Sequence, residues 1–431
     1  MDSNPKVTAA NGGAAAVALP VSPMAPAAPV PFTGYQKFMV AVLAFLQFTI
    51  VLDFMILSPL GAFLMRDLHI PAARFGIVVS VYAFSAGASG LLAAGFADRF
   101  DRKRLLLFFY AGFVLGTLLC SLAPTYSFLL FARMVTGLFG GVIGSISFAI
   151  IADLFPLAAR GRVMGVVQTA FAASQVMGLP LGLYFANRWG WHAPFVMIVV
   201  VSVVVGVVIA AKMRPVTGHL GLQKPGGPFA HVLATVRNGT YLRTFGMTTL
   251  LVTGGFMLMP FGSAFGVHNM GIPLDKLPVL YMATGVCSII AGPLVGRLSD
   301  RVGKYPVFVG GTLLGVVMVL IYTRFGVTPL WIVIVANMIL FVGITSRMIS
   351  ASALISAVPA PADRGAFMSV NASTQQIAGG LASFAAGLIV IEASDGRLLR
   401  YDILGDVVVV GMLITVFMLR YINRVVMAKP Q

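Results

Sequence analysis

Between Arg74 and Asp98 the chain runs 23 residues without an Asp, Glu, Lys or Arg, and between Arg104 and Arg133 it runs 28 more. A bilayer core is crossed by about 20 apolar residues in a helix. Further uncharged stretches follow at 163–187, 244–274, 277–296, 305–323 and 365–391. Hydrocarbon offers the backbone no hydrogen bonds, so a spanning segment is either a helix or a strand of a closed barrel. Barrel strands need only about ten alternating residues, so runs this long predict helices. A hydrophobic content of 59% and a mean hydropathy of +0.96 agree with a polytopic membrane protein.

The pattern predicts twelve spans, at 36–62, 75–97, 104–122, 126–152, 163–186, 192–212, 243–267, 276–298, 305–323, 328–357, 365–391 and 402–422. The Ala- and Pro-rich residues 1–34 predict a disordered tail. A Pro/Gly-rich basic segment, 214–241, separates an N-terminal six-helix bundle (35–213) from a C-terminal one (242–425), and residues 426–431 form a short tail. Motifs repeat across that divide. Asp98-Arg99 returns as Asp300-Arg301 at an offset of 202, Arg160-Gly161 with Met164 as Arg364-Gly365 with Met368 at 204, and Gly112-x-x-x-Gly116 as Gly311-x-x-x-Gly315 at 199. Near-constant offsets in the same order are the mark of a duplicated unit. The expected fold class is therefore an all-α membrane protein of twelve transmembrane helices in two pseudo-symmetric bundles.

The formal charge of +16 raises nucleic acid as a partner, but its placement argues for a lipid surface. With residues at span ends counted in the adjoining loop, only seven of the 29 Lys and Arg fall in the odd-numbered loops, namely Arg66, Arg74, Arg188, Lys276, Arg324, Arg397 and Arg400, with Arg133 and Arg347 deep inside spans. By the positive-inside rule this predicts both termini in the cytoplasm of a cell (inner) membrane protein. The two cysteines lie in different halves and the five histidines lack paired ligand spacing, so neither a disulfide framework nor a metal centre is expected. No GxxxxGK[ST] loop is present, and no nucleophile–base pair marks an enzyme.

The second-to-third loop, Ala94 to Lys103, reads AGFADRFDRK, and its later counterpart reads GRLSDRVGK. A carboxylate in a tight interfacial loop can cap a helix N-terminus and pair with arginines while neighbouring bundles are closed on that side. With these residues the chain resembles the major facilitator superfamily, and within it the drug/proton antiporter and sugar-efflux branch, over residues 35 to about 425. That family's loop reads roughly G-x-x-x-D-R-x-G-R-K. Asp98, Arg99, Arg102 and Lys103 match it, while Ala94 and Asp101 replace two glycines; the second copy keeps Gly296, Asp300, Arg301, Gly303 and Lys304. The resemblance implies a conformational latch at both copies. Topology alone also accounts for the basic residues, but not for Asp98.

Charge within a span costs on the order of 2.5–3.5 kcal/mol at mid-membrane, which makes each instance a functional candidate. Asp53 lies 16 residues after Lys37 and 13 before Arg66, near the middle of span one. Arg133 stands seven residues into span four, followed by Gly137, Gly140, Gly141 and Gly144, and with Gly137 it matches the family's R-x-x-x-G motif. A permanently charged guanidinium can hold or release a carboxylate's proton by pairing with it, so Asp53 and Arg133 are expected either to couple protons or to form a static pair. Arg347, opposite Ile143 in the repeat, either binds an anionic substrate group or pairs locally.

The family's span-five motif is only partly present, through Gly165, Ser174, Gly178, Pro180 and Gly182. Gly137, Gly141, Gly178, Pro180 and Gly182 are read as hinge or close-packing positions. Gln168, Gln175, Asn337, Arg347 and Gln375 are candidate cavity residues, each of which can equally bond a neighbouring helix. The resemblance implies a monomeric secondary transporter with a small-molecule substrate (drugs or sugars), protons as coupling ion, no cofactor and no nucleic-acid partner. An importer or uniporter on the same fold is the alternative.

Overall fold

The computed structural model describes residues 32–93, 99–218, 220, 230–360 and 363–428. Twelve long helices carry the fold: α1 Gly34–Ile56, α2 Ala72–Ala93, α3 Arg102–Ser121, α4 Tyr126–Leu154, α5 Arg162–Trp189, α6 Ala193–Lys212, α7 Gly239–His268, α8 Leu274–Val302, α9 Lys304–Tyr322, α10 Leu330–Ser356, α11 Arg364–Ile389 and α12 Tyr401–Met427. Among the described residues, all except α11 are apolar enough by composition to cross a membrane. Asn371, Ser373, Thr374, Gln375 and Gln376 make α11 polar. Those residues are tolerated because α11 is enclosed between α2 and α7, against which Gly380 meets Phe84 and Gly379 meets Phe256.

Several boundaries differ from expectation, each for a local reason. The tail expected over 1–34 gives way before α1, where Thr33 and Gln36 form a reciprocal capping box (Thr33 Oγ1 accepts from Gln36 N, 3.2 Å; Gln36 Oε1 from Thr33 N, 3.0 Å). Residues 1–31 lie outside the described residues. The single first span stops at Ile56 and resumes as a short helix, Gly61–Asp67, around Pro59, because proline cannot donate into a helix ladder. In α7 a 3₁₀ turn at Met259–Phe261 sits on Pro260, 201 residues after Pro59, so the repeat extends to the helix breaks. The linker contains a helix, Ala230–Arg237, and α7 already begins at Gly239, capped by Asn238. The twelfth helix continues to Met427, beyond the expected 422 and into the 426–431 tail. A two-stranded hairpin, Ile391–Glu392 with Leu398–Leu399, joins α11 to α12.

The repeat is also visible as packing. Gly116 of α3 lies against Thr136 of α4, and Gly311 of α9 lies against Ser346 and Gly343 of α10. Small residues at these crossings let the helix backbones meet, as in membrane bundles generally.

Call the end bearing Thr33 and Met427 basal and the other distal. The distal core is shared by both bundles: Leu57, Phe63, Phe75 and Trp191 pack in one cluster with Phe261, Phe265, Ile272 and Tyr401. At the basal end the core divides. One cluster holds Leu43, Tyr110, Ile146 and Ile209 of the first bundle, and another holds Phe245, Phe308, Leu354 and Phe367 of the second, with Leu91 of α2 against it. Hydrogen bonds between described residues of the two bundles lie at the distal end: Ser58 Oγ to the Met259 carbonyl, Ser263 Oγ to the Ser58 carbonyl (2.8 Å), and Asn187 Nδ2 to the Leu274 carbonyl (3.3 Å). The bundles are therefore clasped distally and along α2–α11, where Gly76 meets Gly387 and Gly87 meets Ser373 and Ile377.

Candidate functional site

Two charges predicted from separate spans meet. Arg133 Nη1 donates to Asp53 Oδ2 at 2.8 Å, and both side chains are 0% exposed. The other carboxylate oxygen, Oδ1, accepts from Thr117 Oγ1 at 3.2 Å, and the guanidinium carbon lies 4.4 Å from the centre of the Tyr82 ring. Four helices thus contribute one group each: α1 the acid, α4 the cation, α3 a hydroxyl and α2 an aromatic face.

The glycines explain how these groups come so close. Gly137 lies on the backbone of Tyr82 and Gly141 on that of Ala86, which draws α4 onto α2 and seats Arg133 over the ring. Gly116 draws α3 onto α4 at Thr136, one residue from Thr117. On α5, Gly178 faces Leu52 and Gly182 faces Ile56, holding that helix against the Asp53 segment of α1. The four predicted glycines, 137, 141, 178 and 182, are all close-packing positions. Pro180 follows a π-helical turn, Ser174–Gly178, in the middle of α5. Gly285 of α8 packs on the backbone of Gln175 and Val176 within that turn, so the irregular turn lies on an inter-bundle contact, as π-bulges often do at functional sites.

The pair is incompletely satisfied. Arg133 Nε and Nη2 are buried without a hydrogen-bond partner among the described residues. Removing either member would strand a charge in a low-dielectric interior, a situation that costs far more than the intact pair contributes.

The remaining predicted residues divide. Arg347 turns into the second bundle, donating to Thr415 Oγ1 at 3.0 Å with Phe308 5.4 Å away, and its Nε has no partner among the described residues. Of its two readings, local bonding is the one the geometry displays. Asn337 also faces inward, towards the Tyr322 hydroxyl (3.4 Å). Gln168 is exposed on the basal half of α5, and Gln175 is buried with Oε1 unpartnered among the described residues. Gln375 lines a cavity of about 90 Å³ between α7, α10 and α11 with Asn371, Ser352 and Met348.

The residues of the expected latches are placed as follows. Asp98 lies outside the described residues, and Arg99 is exposed. Arg102 and Lys103 bind within their own bundle: Arg102 Nε to Asp153 Oδ2 of α4 (3.3 Å) and Lys103 Nζ to the Ala210 carbonyl of α6 (2.9 Å). Asp101, in a position where glycine is usual, caps α3 by accepting from Lys103 N and also accepts from Val216 N (2.8 Å). In the second copy Asp300, at the end of α8, pairs with Lys304 at the start of α9 (3.4 Å), Arg301 is exposed, and Gly303 between the two helices takes a φ of 105°. With the basal end divided, these bonds do not bridge the bundles. The repeated Arg160 donates to the Phe155 and Ala152 carbonyls (3.0 and 2.6 Å) and so closes the C-terminus of α4.

Thr117 and Tyr82 were not singled out by the sequence. Neither residue type is unusual in a membrane helix, and only the packing of the helices reveals that both face Asp53 and Arg133.

Comparison with known proteins agrees with this architecture. The family model described as Major Facilitator Superfamily matches residues 43–383 and, again, 244–426. The chain belongs to that superfamily of multi-pass membrane transporters. It is 25% identical over 270 residues to the uncharacterized MFS-type transporter YceJ of Bacillus subtilis (strain 168), covering 62% of this chain and 68% of that protein. It is 22% identical over 263 residues to a probable sugar efflux transporter of Mannheimia succiniciproducens, covering 61% and 65%. A multidrug resistance protein 3 of Bacillus subtilis is 34% identical over 122 residues, 28% of this chain and 24% of that one. The matches thus span less than two-thirds of the length of two of these three relatives. Among solved structures, a mutant of the nucleoside transporter NupG superposes with a TM-score of 0.71 at 13% identity, covering 90% of this chain and 99% of that one. A bacterial homologue of the human lysosomal transporter Spinster superposes at 0.67 and 14%, covering 92% and 97%.

Proposed function

We propose that this protein is a monomeric secondary transporter of the inner membrane that expels small molecules, drugs or sugars, in exchange for protons by alternating access. The observation that carries the reading is the Asp53–Arg133 pair, the one fully buried ion pair among the described residues, placed where four helices of the first bundle converge. Neutralising Asp53 loosens its hold on Arg133, leaving a weaker neutral hydrogen bond in place of an ion pair, and changes the packing balance of α1, α2 and α4, the elements that also build the distal clasp. Names of relatives that include sugar efflux and multidrug resistance support the substrate class and direction. With the termini in the cytoplasm, the distally clasped arrangement is the inward-facing state. Asp98, Arg99, Arg102 and Lys103, with Asp300, Arg301, Gly303 and Lys304, act as latches in the alternative, basally closed state.

The test is reconstitution in liposomes holding a pH-sensitive dye, with candidate drugs and sugars supplied in turn. Proton movement that depends on a transported compound is the expected result. Transport of every accepted compound without proton movement overturns the reading in favour of facilitated diffusion.

A further inference from the structure

The Thr117 hydroxyl stands between two acceptors. Its Oγ1 lies 3.2 Å from Asp53 Oδ1 and 3.0 Å from the carbonyl oxygen of Phe113, one turn back on α3. A hydroxyl has one proton to donate and lone pairs to accept with, so it can satisfy one of these oxygens at a time. We propose that Thr117 is a positioning residue for proton exchange at Asp53, reversing its hydrogen bond as the carboxylate gains and loses the proton.

This rests on the reading of Asp53 as the proton-exchanging group. While Asp53 is ionised, Thr117 donates to Oδ1 and Arg133 donates to Oδ2. An arriving proton settles on Oδ1, because Oδ2 already faces an N–H. The new carboxyl O–H then donates to Thr117 Oγ1, and the threonine proton swings to the Phe113 carbonyl. The count balances: one proton enters, both carboxyl oxygens and the Thr117 hydroxyl keep a partner, and the hydroxyl does not ionise. Oδ2 continues to accept from Arg133, whose cation keeps the Tyr82 ring at 4.4 Å as a second stabiliser. In a dry site an unsatisfied polar group is costly, so a partner that suits both protonation states lowers the penalty of each.

The ionisable groups around Asp53 are few. Arg133 comes from α4, Tyr82 from α2 and Cys120 from α3. On α5 and α6, which also pack on α1, the ionisable residues are Arg162, Tyr184, Arg188 and Lys212, towards the helix ends. Tyr110 of α3 is engaged with Thr49, a turn away. The acid's behaviour is therefore governed by Arg133, Tyr82, Cys120 and the Thr117 hydroxyl.

The experiment is infrared titration of the purified protein in lipid, following the protonated-carboxyl band that Asp53→Asn removes. It needs no transported compound. Thr117→Val takes a charge-assisted bond from the ionised form and a neutral one from the protonated form, and the first is the stronger. The midpoint is expected to rise by about one pH unit, and Thr117→Ser, which keeps the hydroxyl, is expected to restore it. Thermal melting of each variant separates this shift from loss of fold, and Thr117→Ala serves if the valine variant does not assemble. A midpoint unmoved by Thr117→Val or Thr117→Ala, or moved equally by Thr117→Ser, overturns the assignment. A wild-type protein with no Asp53-dependent band overturns the proton reading itself, and this inference with it.

Discussion

Arg133 holds Asp53 through a single 2.8 Å bond from Nη1, although the guanidinium has further N–H groups buried beside it without partners among the described residues. A pair joined by one bond, rather than by a bidentate fork, can separate with one rotation. Breaking the pair by mutation is a different matter. Arg133→Leu leaves a buried carboxylate uncompensated, and a loss of about 3–5 kcal/mol is expected. Asp53→Leu combined with Arg133→Leu removes both charges and should melt closer to wild type than Arg133→Leu alone. Thermal melting of the purified variants in one detergent decides it.

Arg347 makes the opposite case. It is buried, yet bonds to a neutral hydroxyl, and Thr415 keeps a second bond to the Met412 carbonyl (2.5 Å). Replacing it strands no opposite charge, so Arg347→Met is expected to lower the melting temperature much less than Arg133→Leu. Equal losses would reveal an anionic partner for Arg347.

The glycines of α4 separate packing from open space. A Cβ at Gly141 runs into the backbone of Ala86, whereas nothing lies within 4 Å of one at Gly144. Gly141→Ala should cost about 1–3 kcal/mol through overpacking, and Gly144→Ala should be neutral or slightly stabilising, since alanine is the better helix former. Expression level and melting temperature of the two variants test the contrast.

The distal clasp offers a covalent test of alternating access. Ser58 and Ser263 approach from opposite bundles, with Ser263 Oγ 2.8 Å from the Ser58 carbonyl. With Cys120 and Cys287 replaced by alanine, Ser58→Cys and Ser263→Cys together should form a disulfide on oxidation, stop transport and recover it on reduction. Undiminished transport by the oxidised, cross-linked protein would mean that this end does not open.

Much of the architecture is written in the spacing of charge. Twelve helices appear where uncharged runs predict them because hydrocarbon tolerates no other backbone arrangement at that length. The same constraint exposes Asp53 and Arg133: a charge in a long apolar run stands out from its neighbours and needs an opposite one nearby. What the sequence conceals is direction. Thr117 and Tyr82 are ordinary residues until Gly116 and Gly137 bring their helices onto α4. Arg347 is as conspicuous as Arg133, but only the turn of α10 shows that it faces Thr415. Arg102 and Lys103 match a motif letter by letter while their bonds to Asp153 and Ala210 lie within one bundle, because a motif records residue types and not the conformational state in which they meet.

The proposed mechanism turns on Asp53 exchanging the proton that drives transport. Its most direct test uses Asp53→Asn in proteoliposomes, comparing exchange of a transported compound across the membrane with its accumulation under an imposed pH gradient. Exchange is expected to persist while gradient-driven accumulation is lost. Accumulation by Asp53→Asn at the wild-type level would contradict the mechanism.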